Sequence, residues 1–425
     1  MQDNKKDSYI IKAMGLFAGV QGLTMLLNVI RAKFAALLLG PEGVGLNSIY
    51  NETRELIHST SNFGLDVSGV RRISCAYESQ HEAEIEREVA LLRTWVITLA
   101  TFGTLICMFL AQPISYFTFQ DFDHTWGYIL LSPAIGFSTI ACGELAVLKG
   151  IRKLKTIASI SVINVVLAII ISLPLYYFYR IDGVLSSLVL LCLAQAIAVL
   201  AISYRYVKPR FCFSKAEMMP GLPILGLGIA FALAGMVGHL TQLGIRAWFN
   251  NSGGLELVGL YNAGYTITMT YGGLIFSSFD SDYFPRLSGI IENVEERHST
   301  VWKQVRLSVI ITIPFVILLI VLIPWLIPLL FSHEFDAVIT MSQVACLALI
   351  PRSFYLPIAY LPLAAGKSKS FLLLESISFI VLAIAIVLCY NTWGLTGAGI
   401  GLVIGNVMDA IIVYHYCKRW LKINK

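Results

Sequence analysis

The sequence predicts an all-α polytopic membrane protein with twelve transmembrane helices in two six-helix halves. Three observations predict it: an apolar content too high for a water-soluble chain, a one-sided distribution of Lys and Arg between apolar runs, and a repeat of the first half in the second. Of 425 residues, 57% are hydrophobic and 13% charged, with mean hydropathy +0.74. Soluble domains carry about 25% charged residues, so a soluble enzyme is excluded. At about 20 apolar residues per crossing, the chain has room for roughly twelve. The net charge of +5 is too thinly spread for a nucleic-acid-binding face.

Apolar runs, cut by Gly, Pro and charged clusters, fall at about 9–39, 43–70, 89–111, 125–148, 156–178 and 183–204, then at about 219–249, 255–284, 305–330, 337–365, 370–390 and 395–417. Lys5, Lys6 and Lys12 precede a first run too long for a signal-peptide core, which predicts a retained helix. The longest non-apolar stretch, Arg71 to Glu88, predicts a surface helix at the membrane edge. None of the eight cysteines shows C-x-x-C or metal-ligand spacing, so they read as small hydrophobes, and no metal or cofactor is expected.

Positive residues gather on one side. With the N-terminus inside, 25 of the 31 Lys and Arg fall on inward segments: around Lys5–Lys12, Arg71–Arg93, Lys149–Lys155, Arg205–Lys215, Arg286–Arg306, Lys367–Lys369 and Lys418–Lys425. The outward connections hold only Arg180. Both termini are thus expected in the cytoplasm. Arg31, Lys33, Arg54, Arg246 and Arg352 remain within the spans.

The halves align at a constant offset of 214: Glu42, Val44, Gly45 and Leu46 match Glu256, Val258, Gly259 and Leu260, Lys153 and Lys155 match Lys367 and Lys369, and Gly183 matches Gly397. Six helices is an even number, so the copies are parallel repeats. The expected organisation is a six-helix bundle over 1–207, a cytoplasmic linker over 208–217 and a second bundle over 218–425. A transporter built this way places its path between the halves.

Polar residues form stripes on the first two helices of each half. Gln21, Thr24, Asn28 and Arg31 share one face of the first span. Asn47, Asn51, Arg54, His58, Asn62 and Asp66 line the second; His239, Gln242, Arg246 and Asn250 the seventh; Tyr261, Tyr265 and Thr268 the eighth. A central Arg costs about 2.5–3.5 kcal/mol on insertion scales, so buried arginines imply a wet cavity or protein partners. Arg31, Lys33 and Arg246 either snorkel to their outward turns or face such a cavity. Arg54 lies about 16 Å deep, eleven residues from Gly43, and Arg352 is mid-span among Pro351, Pro357 and Pro362, which predict a helix that bends or opens. Glu55 adjoins Arg54 but points to another face. Glu144, Asp280, Asp282, Glu375 and Asp409 fall towards inner span ends, with Lys149 and Arg286 as the nearest bases. A cavity of arginines opposed by few acids suits an anion, and guanidinium forks match phosphate oxygens.

Gly40-Pro41-Glu42-Gly43-Val44-Gly45, Leu148-Lys149-Gly150-Ile151-Arg152, Pro285-Arg286-Leu287-Ser288 and Gly366-Lys367, in this order and spacing, resemble the Wzx-type oligosaccharide-lipid flippases of the MOP exporter superfamily, which also holds the MATE drug exporters. The resemblance runs the whole length and is strongest to flippases of O-antigen or enterobacterial common antigen repeat units. It implies two six-helix bundles in a V in the bacterial inner membrane. They would carry an undecaprenyl-pyrophosphate-linked oligosaccharide to the periplasmic leaflet by alternating access, for lipopolysaccharide and related surface polysaccharide, alongside a polymerase and a chain-length regulator. It also implies a cationic cavity at Arg31, Arg54 and Arg246; burial adds Arg352. Gln21, Asn28, Asn47, Asn51, His58, Asn62, His239, Gln242, Tyr261 and Tyr265 are the expected polar lining, with sugars meeting Tyr261 and Tyr265. A MATE-like cation exporter is the alternative, disfavoured by an acid-poor first span. A membrane glycosyltransferase or polymerase would need a long outward loop with catalytic carboxylates; only Asp121 and Asp123 sit on an outward connection of any length, so no enzyme is expected.

Overall fold

Lipid offers a backbone no hydrogen bonds, so a chain this apolar must satisfy its own N–H and C=O groups within helices or a closed barrel. A computed structural model describes residues 2–79, 81–212 and 222–421, without the side chains of 2–18, 222–231, 277–282 and 368. It is helical throughout, with no strand among the described residues.

Helix α1 (Gln2–Ser61) runs through the first two predicted spans and breaks at Gly40, where φ is 63° and Pro41 follows without an N–H. Then come α2 (Leu65–Glu78), α3 (Glu82–Phe119), α4 (Thr125–Gly150), α5 (Leu154–Tyr179), a 3-10 turn at Arg180–Asp182 and α6 (Gly183–Ser203). Helix α7 (Leu222–Tyr265) breaks at Gly253 and Gly254 and passes into a π-helical turn, Thr266–Tyr271, before α8 (Leu274–Gly289). Helix α9 (Val294–Leu330), a 3-10 turn (His333–Val338), α10 (Ile339–Cys346), α11 (Leu349–Ala364) and α12 (Ser368–Leu421), broken at Trp393 and Gly394, complete the chain.

Among the described residues, six helical stretches are long and apolar enough to cross a membrane, or seven if the pair bent by 46° around Leu347 is one span. Three of them, of 43, 50 and 53 residues, would measure roughly 65–80 Å if straight, about twice a bilayer core or more. Each is interrupted, at Gly40, at Arg180–Asp182 and at Trp393–Gly394.

The chain forms two compact units, Met1–Leu39 with Ile49–His239, and Gly40–Ser48 with Leu240–Lys425. Half of the predicted linker, 213–217 with Lys215, lies outside the described residues, as do the side chains of Lys5, Lys6, Lys12, Asp280, Asp282, Lys422 and Lys425. The first unit buries Leu65, Ile73, Leu92, Val96, Val147, Leu148 and Val199 together; the second buries Tyr283, Val301, Val305, Ile358, Leu361, Val413 and Cys417. Phe109, Ile310, Trp325 and Leu388 remain 61–83% exposed, which suits contact with lipid rather than water.

The 214-residue register holds in three dimensions. A Cβ on Gly183 would lie 2.5 Å from the Leu175 carbonyl oxygen, and one on Gly397 would lie 2.0 Å from that of Cys389. Both members of each pair are offset by 214, so the fifth-to-sixth and eleventh-to-twelfth turns fold back by one backbone approach that only glycine permits. Within the second unit, Gly45 and Gly259 make an equally close crossing: a Cβ on Gly259 would sit 1.8 Å from the Pro41 carbonyl oxygen. Gly259→Ala is therefore expected to push the two segments apart, at a cost of about 1–3 kcal/mol or more, read as a fall in unfolding temperature in detergent; an unchanged temperature refutes the crossing.

The stretch expected as one surface helix is divided. Helix α2 ends at Glu78 and α3 opens at Glu82, with Arg72 donating to Glu88 at 2.8 Å across the turn. Arg93, expected among the loop charges, is instead 3% exposed. Its Nε and Nη2 donate to both oxygens of Glu144 at 2.7 and 2.9 Å, so Glu144 pairs with Arg93 rather than Lys149.

Candidate functional site

In the first unit the polar stripe of α1 faces α4 and α5. Arg31 Nε donates to Ser172 Oγ on α5 at 3.3 Å. Arg54 Nη1 donates to Ser138 Oγ on α4 at 2.7 Å, and Nη2 to Asn51 Oδ1 at 3.0 Å and Glu55 Oε1 at 2.5 Å. The expectation that Glu55 leaves Arg54 unneutralised is therefore corrected: adjacent Cα–Cβ bonds diverge, but two long side chains curl towards each other. One turn on, Thr139 Oγ1 donates to the Ile135 carbonyl, so His58 Nδ1 donates to Thr139 at 3.1 Å. Asn62 Nδ2 reaches Cys142 Sγ at 3.9 Å. His239 Nδ1 lies 2.7 Å from Glu52 Oε1, a carboxylate that spacing alone leaves unnoticed. Gln21 is exposed and Asn28 half-buried, with nothing to gather them into a site.

In the second unit the stripes divide between core and cavity. Arg246 is 5% exposed. Its Nη1 donates to the Gln242 carbonyl and Oε1, each at 3.0 Å, and its Nη2 to Asn262 Oδ1 at 3.1 Å. Snorkelling is excluded by that burial, and these acceptors fix the guanidinium inside the unit. Tyr261 is fully buried, 4.6 Å from Phe249 and 5.8 Å from Tyr265 between ring centroids, so it packs the core where a sugar contact was expected. Asn47, in the segment belonging to this unit, has a buried Oδ1 without a hydrogen bond among the described residues.

Two more stripe residues, Gln242 and Tyr265, line a cavity of about 150 Å³ with Arg352, Tyr355, Glu375, Asn406 and Asp409. Two irregularities build it. The π-helical turn Thr266–Tyr271 follows Tyr265 directly and carries Met269 into the wall. Pro351 has no N–H for the Leu347 carbonyl, and the chain tightens through Leu347 N–H to Val344 O and Ala348 N–H to Ala345 O before α11 starts. The predicted opening is thus real and precedes Arg352. Tyr355 OH donates to Asn406 Oδ1 at 3.3 Å. Arg352 has a buried Nε with no hydrogen-bond partner and no ion pair among the described residues; its guanidinium carbon lies 5.9 Å over the Phe276 ring. Asp409, 4% exposed, likewise keeps Oδ1 unpartnered. The expected scarcity of acids fails here, since Glu375 and Asp409 share the cavity with Arg352.

The repeat sharpens the contrast. Ser138, which accepts from Arg54, stands 214 residues before Arg352, and Thr268 stands 214 after Arg54. Each unit thus carries one guanidinium at an equivalent pair of positions, from opposite helices. Gln195, whose Nε2 donates to the Asn164 carbonyl at 3.5 Å, stands where the second unit has Asp409. The carboxylate belongs to the second unit alone.

The family model described as polysaccharide biosynthesis protein matches residues 10–291. No curated protein sequence matches significantly. Among solved structures, a multidrug resistance MATE family transporter of the MOP superfamily in an inward-facing conformation is similar over 94% of both chains, with TM-score 0.79 and 15% identity. The outward-facing conformation of such a transporter covers 96% of this chain and 94% of its own at TM-score 0.64 and 14% identity. A MOP superfamily transporter from Pyrococcus furiosus, described as having a binding pocket of reverse polarity, covers 96% and 94% at TM-score 0.66 and 14% identity. At these identities the likeness is one of fold, a transporter's fold. With the family model covering well over half its length, this polytopic membrane chain belongs to the polysaccharide biosynthesis protein family and has the fold of the MOP superfamily transporters.

Proposed function

We propose that the protein flips undecaprenyl-pyrophosphate-linked oligosaccharide repeat units from the cytoplasmic to the periplasmic leaflet of the bacterial inner membrane, by alternating access, for O-antigen-type polysaccharide. A polymerase and a chain-length regulator would act on the delivered lipid. The chain crosses twelve times with both termini cytoplasmic, a reading supported by the sidedness of Lys and Arg and by the breaks that halve the longest helices. The observation that carries the substrate class is Arg352: a guanidinium at the wall of a membrane-embedded cavity, without a hydrogen-bonded counter-ion among the described residues, is a standing site for a phosphate oxygen. Arg246 adds a second buried guanidinium in the same unit. Arg54 contributes less, because Glu55 neutralises it. The cavity takes only a few waters at about 30 Å³ each, so the sugars and the polyprenyl tail stay outside it and only the charged head approaches Arg352.

Glu375 and Asp409 favour a second reading, a cation-coupled exporter of the MATE kind, because buried carboxylates suit a cation. Reconstituted vesicles separate the two. A labelled pyrophosphate-linked oligosaccharide should become accessible to an external lectin in a protein-dependent manner, while an organic cation is not moved. Cation transport with the lipid left unflipped would reverse the assignment.

A further inference from the structure

The basic end of the second unit holds a pocket unconnected with the Arg352 cavity. It is about 600 Å³ and is lined by Lys367, Ser370, His415, Tyr416, Arg419 and Trp420, with no carboxylate among them. Gly366, at φ 69°, turns the chain from α11 into α12, and Lys367 N–H donates to the Pro362 carbonyl at 2.9 Å, which fixes the lysine's root. Its ammonium sits 5.0 Å over the Trp420 ring, and Arg297 Nε holds the Trp420 carbonyl at 3.2 Å. The first unit has the same clamp 214 residues earlier, Lys153 over Tyr206 at 4.9 Å, but there the Tyr206 hydroxyl is bonded to Thr156 at 2.8 Å. In the second unit Ser370 and Trp420 replace that hydroxyl pair and the space stays open.

Two exposed apolar stripes run into this pocket. On the first limb of α12, Leu373, Ile377, Ile380, Ile384 and Leu388 are each 36–61% exposed, at helical spacing. On the second limb, Ile404, Met408 and Ile411 are 41–47% exposed, and the same line continues at +4 and +8 into His415 and Arg419. Apolar stripe and basic end form one face, tail-length followed by charge. We propose that this pocket binds the phosphate of an anionic phospholipid, its acyl chains lying along the two stripes and its phosphate held by Lys367 and Arg419, with Ser370 and the Trp420 indole as neutral donors. A soluble phosphate offers the same head chemistry without the tails.

The full-length protein, delipidated in neutral detergent, would be titrated with phosphatidylglycerol, phosphatidylcholine, or inorganic phosphate, reading unfolding temperature and the lipid retained in native mass spectrometry. Phosphatidylglycerol should raise the unfolding temperature and be retained; phosphatidylcholine should do neither. Lys367→Gln with Arg419→Gln should weaken phosphatidylglycerol retention by about tenfold or more, while Lys369→Gln with Lys418→Gln, removing equal charge outside the pocket, should leave it within about twofold. Equal loss in both pairs, or equal retention of the two lipids by the unsubstituted protein, overturns the site. Stabilisation by inorganic phosphate equal to that by phosphatidylglycerol overturns the lipid and assigns a soluble anion. The lipid comparison on the unsubstituted protein decides the matter even if the double variant fails to fold.

Discussion

Replacing Arg352 by alanine is expected to lower the flipping rate by about 10- to 100-fold, the worth of one charge-assisted hydrogen bond of about 1.5–3 kcal/mol. Cells should lose surface glycan and accumulate the lipid-linked precursor at an unchanged protein level. The level should hold because the Arg352 side chain makes no hydrogen bond or ion pair among the described residues, and Glu375 and Asp409, which share its cavity, can take up a proton when the cation is gone. Arg352→Lys keeps the charge and loses the two-pronged fork, so it should fall between wild type and alanine. Arg54→Ala differs in kind. It strands Glu55, bonded at 2.5 Å, along with Ser138 and Asn51, so it should reduce the protein level and be partly rescued by Glu55→Ala. Normal surface glycan in Arg352→Ala, with the protein confirmed in the membrane, would remove Arg352 from the site.

The cavity was half legible in the sequence. Arg352 stood out because depth and flanking prolines are properties of order along the chain, and both survive folding. Glu375 and Asp409 were misjudged because counting residues from a span's end gives depth but not which helices meet there. Tyr261 and Tyr265 share a face by spacing and their rings stay 5.8 Å apart, yet one packs against Phe249 and the other reaches the cavity. Periodicity finds a face and says nothing about whether that face looks inward to the core or onto a void. The 214-residue register proved the more reliable guide, because a duplicated backbone keeps its close approaches, as at Gly183 and Gly397, even where side chains diverge. The equivalence of Ser138 with Arg352 and of Gln195 with Asp409 was written in that register.

Glu144→Ala carries the second large effect, a loss of about 3–5 kcal/mol in stability. Arg93 and Glu144 are 3% and 4% exposed at the side chain, and the carboxylate also accepts from Ser203 Oγ at 2.6 Å. Arg93 is tied elsewhere: Nη1 donates to the Val207 and Lys208 carbonyls at 3.2 and 2.8 Å, and the guanidinium lies 4.6 Å over Tyr204. These carbonyls follow the end of α6, where the last helical acceptors lack helical donors. Arg297 does the corresponding work in the second unit, donating to the Trp420 carbonyl near the end of α12. Without Glu144 a buried cation is left against two carbonyls; without Arg93 a buried carboxylate is left with one hydroxyl, and the chain after α6 loses an anchor. Arg93→Met should therefore destabilise as much as Glu144→Ala and also open 205–212 to protease, where Cys212 N–H is bonded to Thr94 Oγ1 at 2.9 Å. Arg93→Met with Glu144→Leu should recover most of the loss, since two apolar side chains replace two ions. It should keep the protease sensitivity, since nothing then meets the carbonyls. Unfolding temperature and cleavage site are separate readouts. Single variants within about 0.5 kcal/mol of wild type, the range of an ordinary surface substitution, would mean that this pair neither holds the first unit together nor fastens the chain that leaves it.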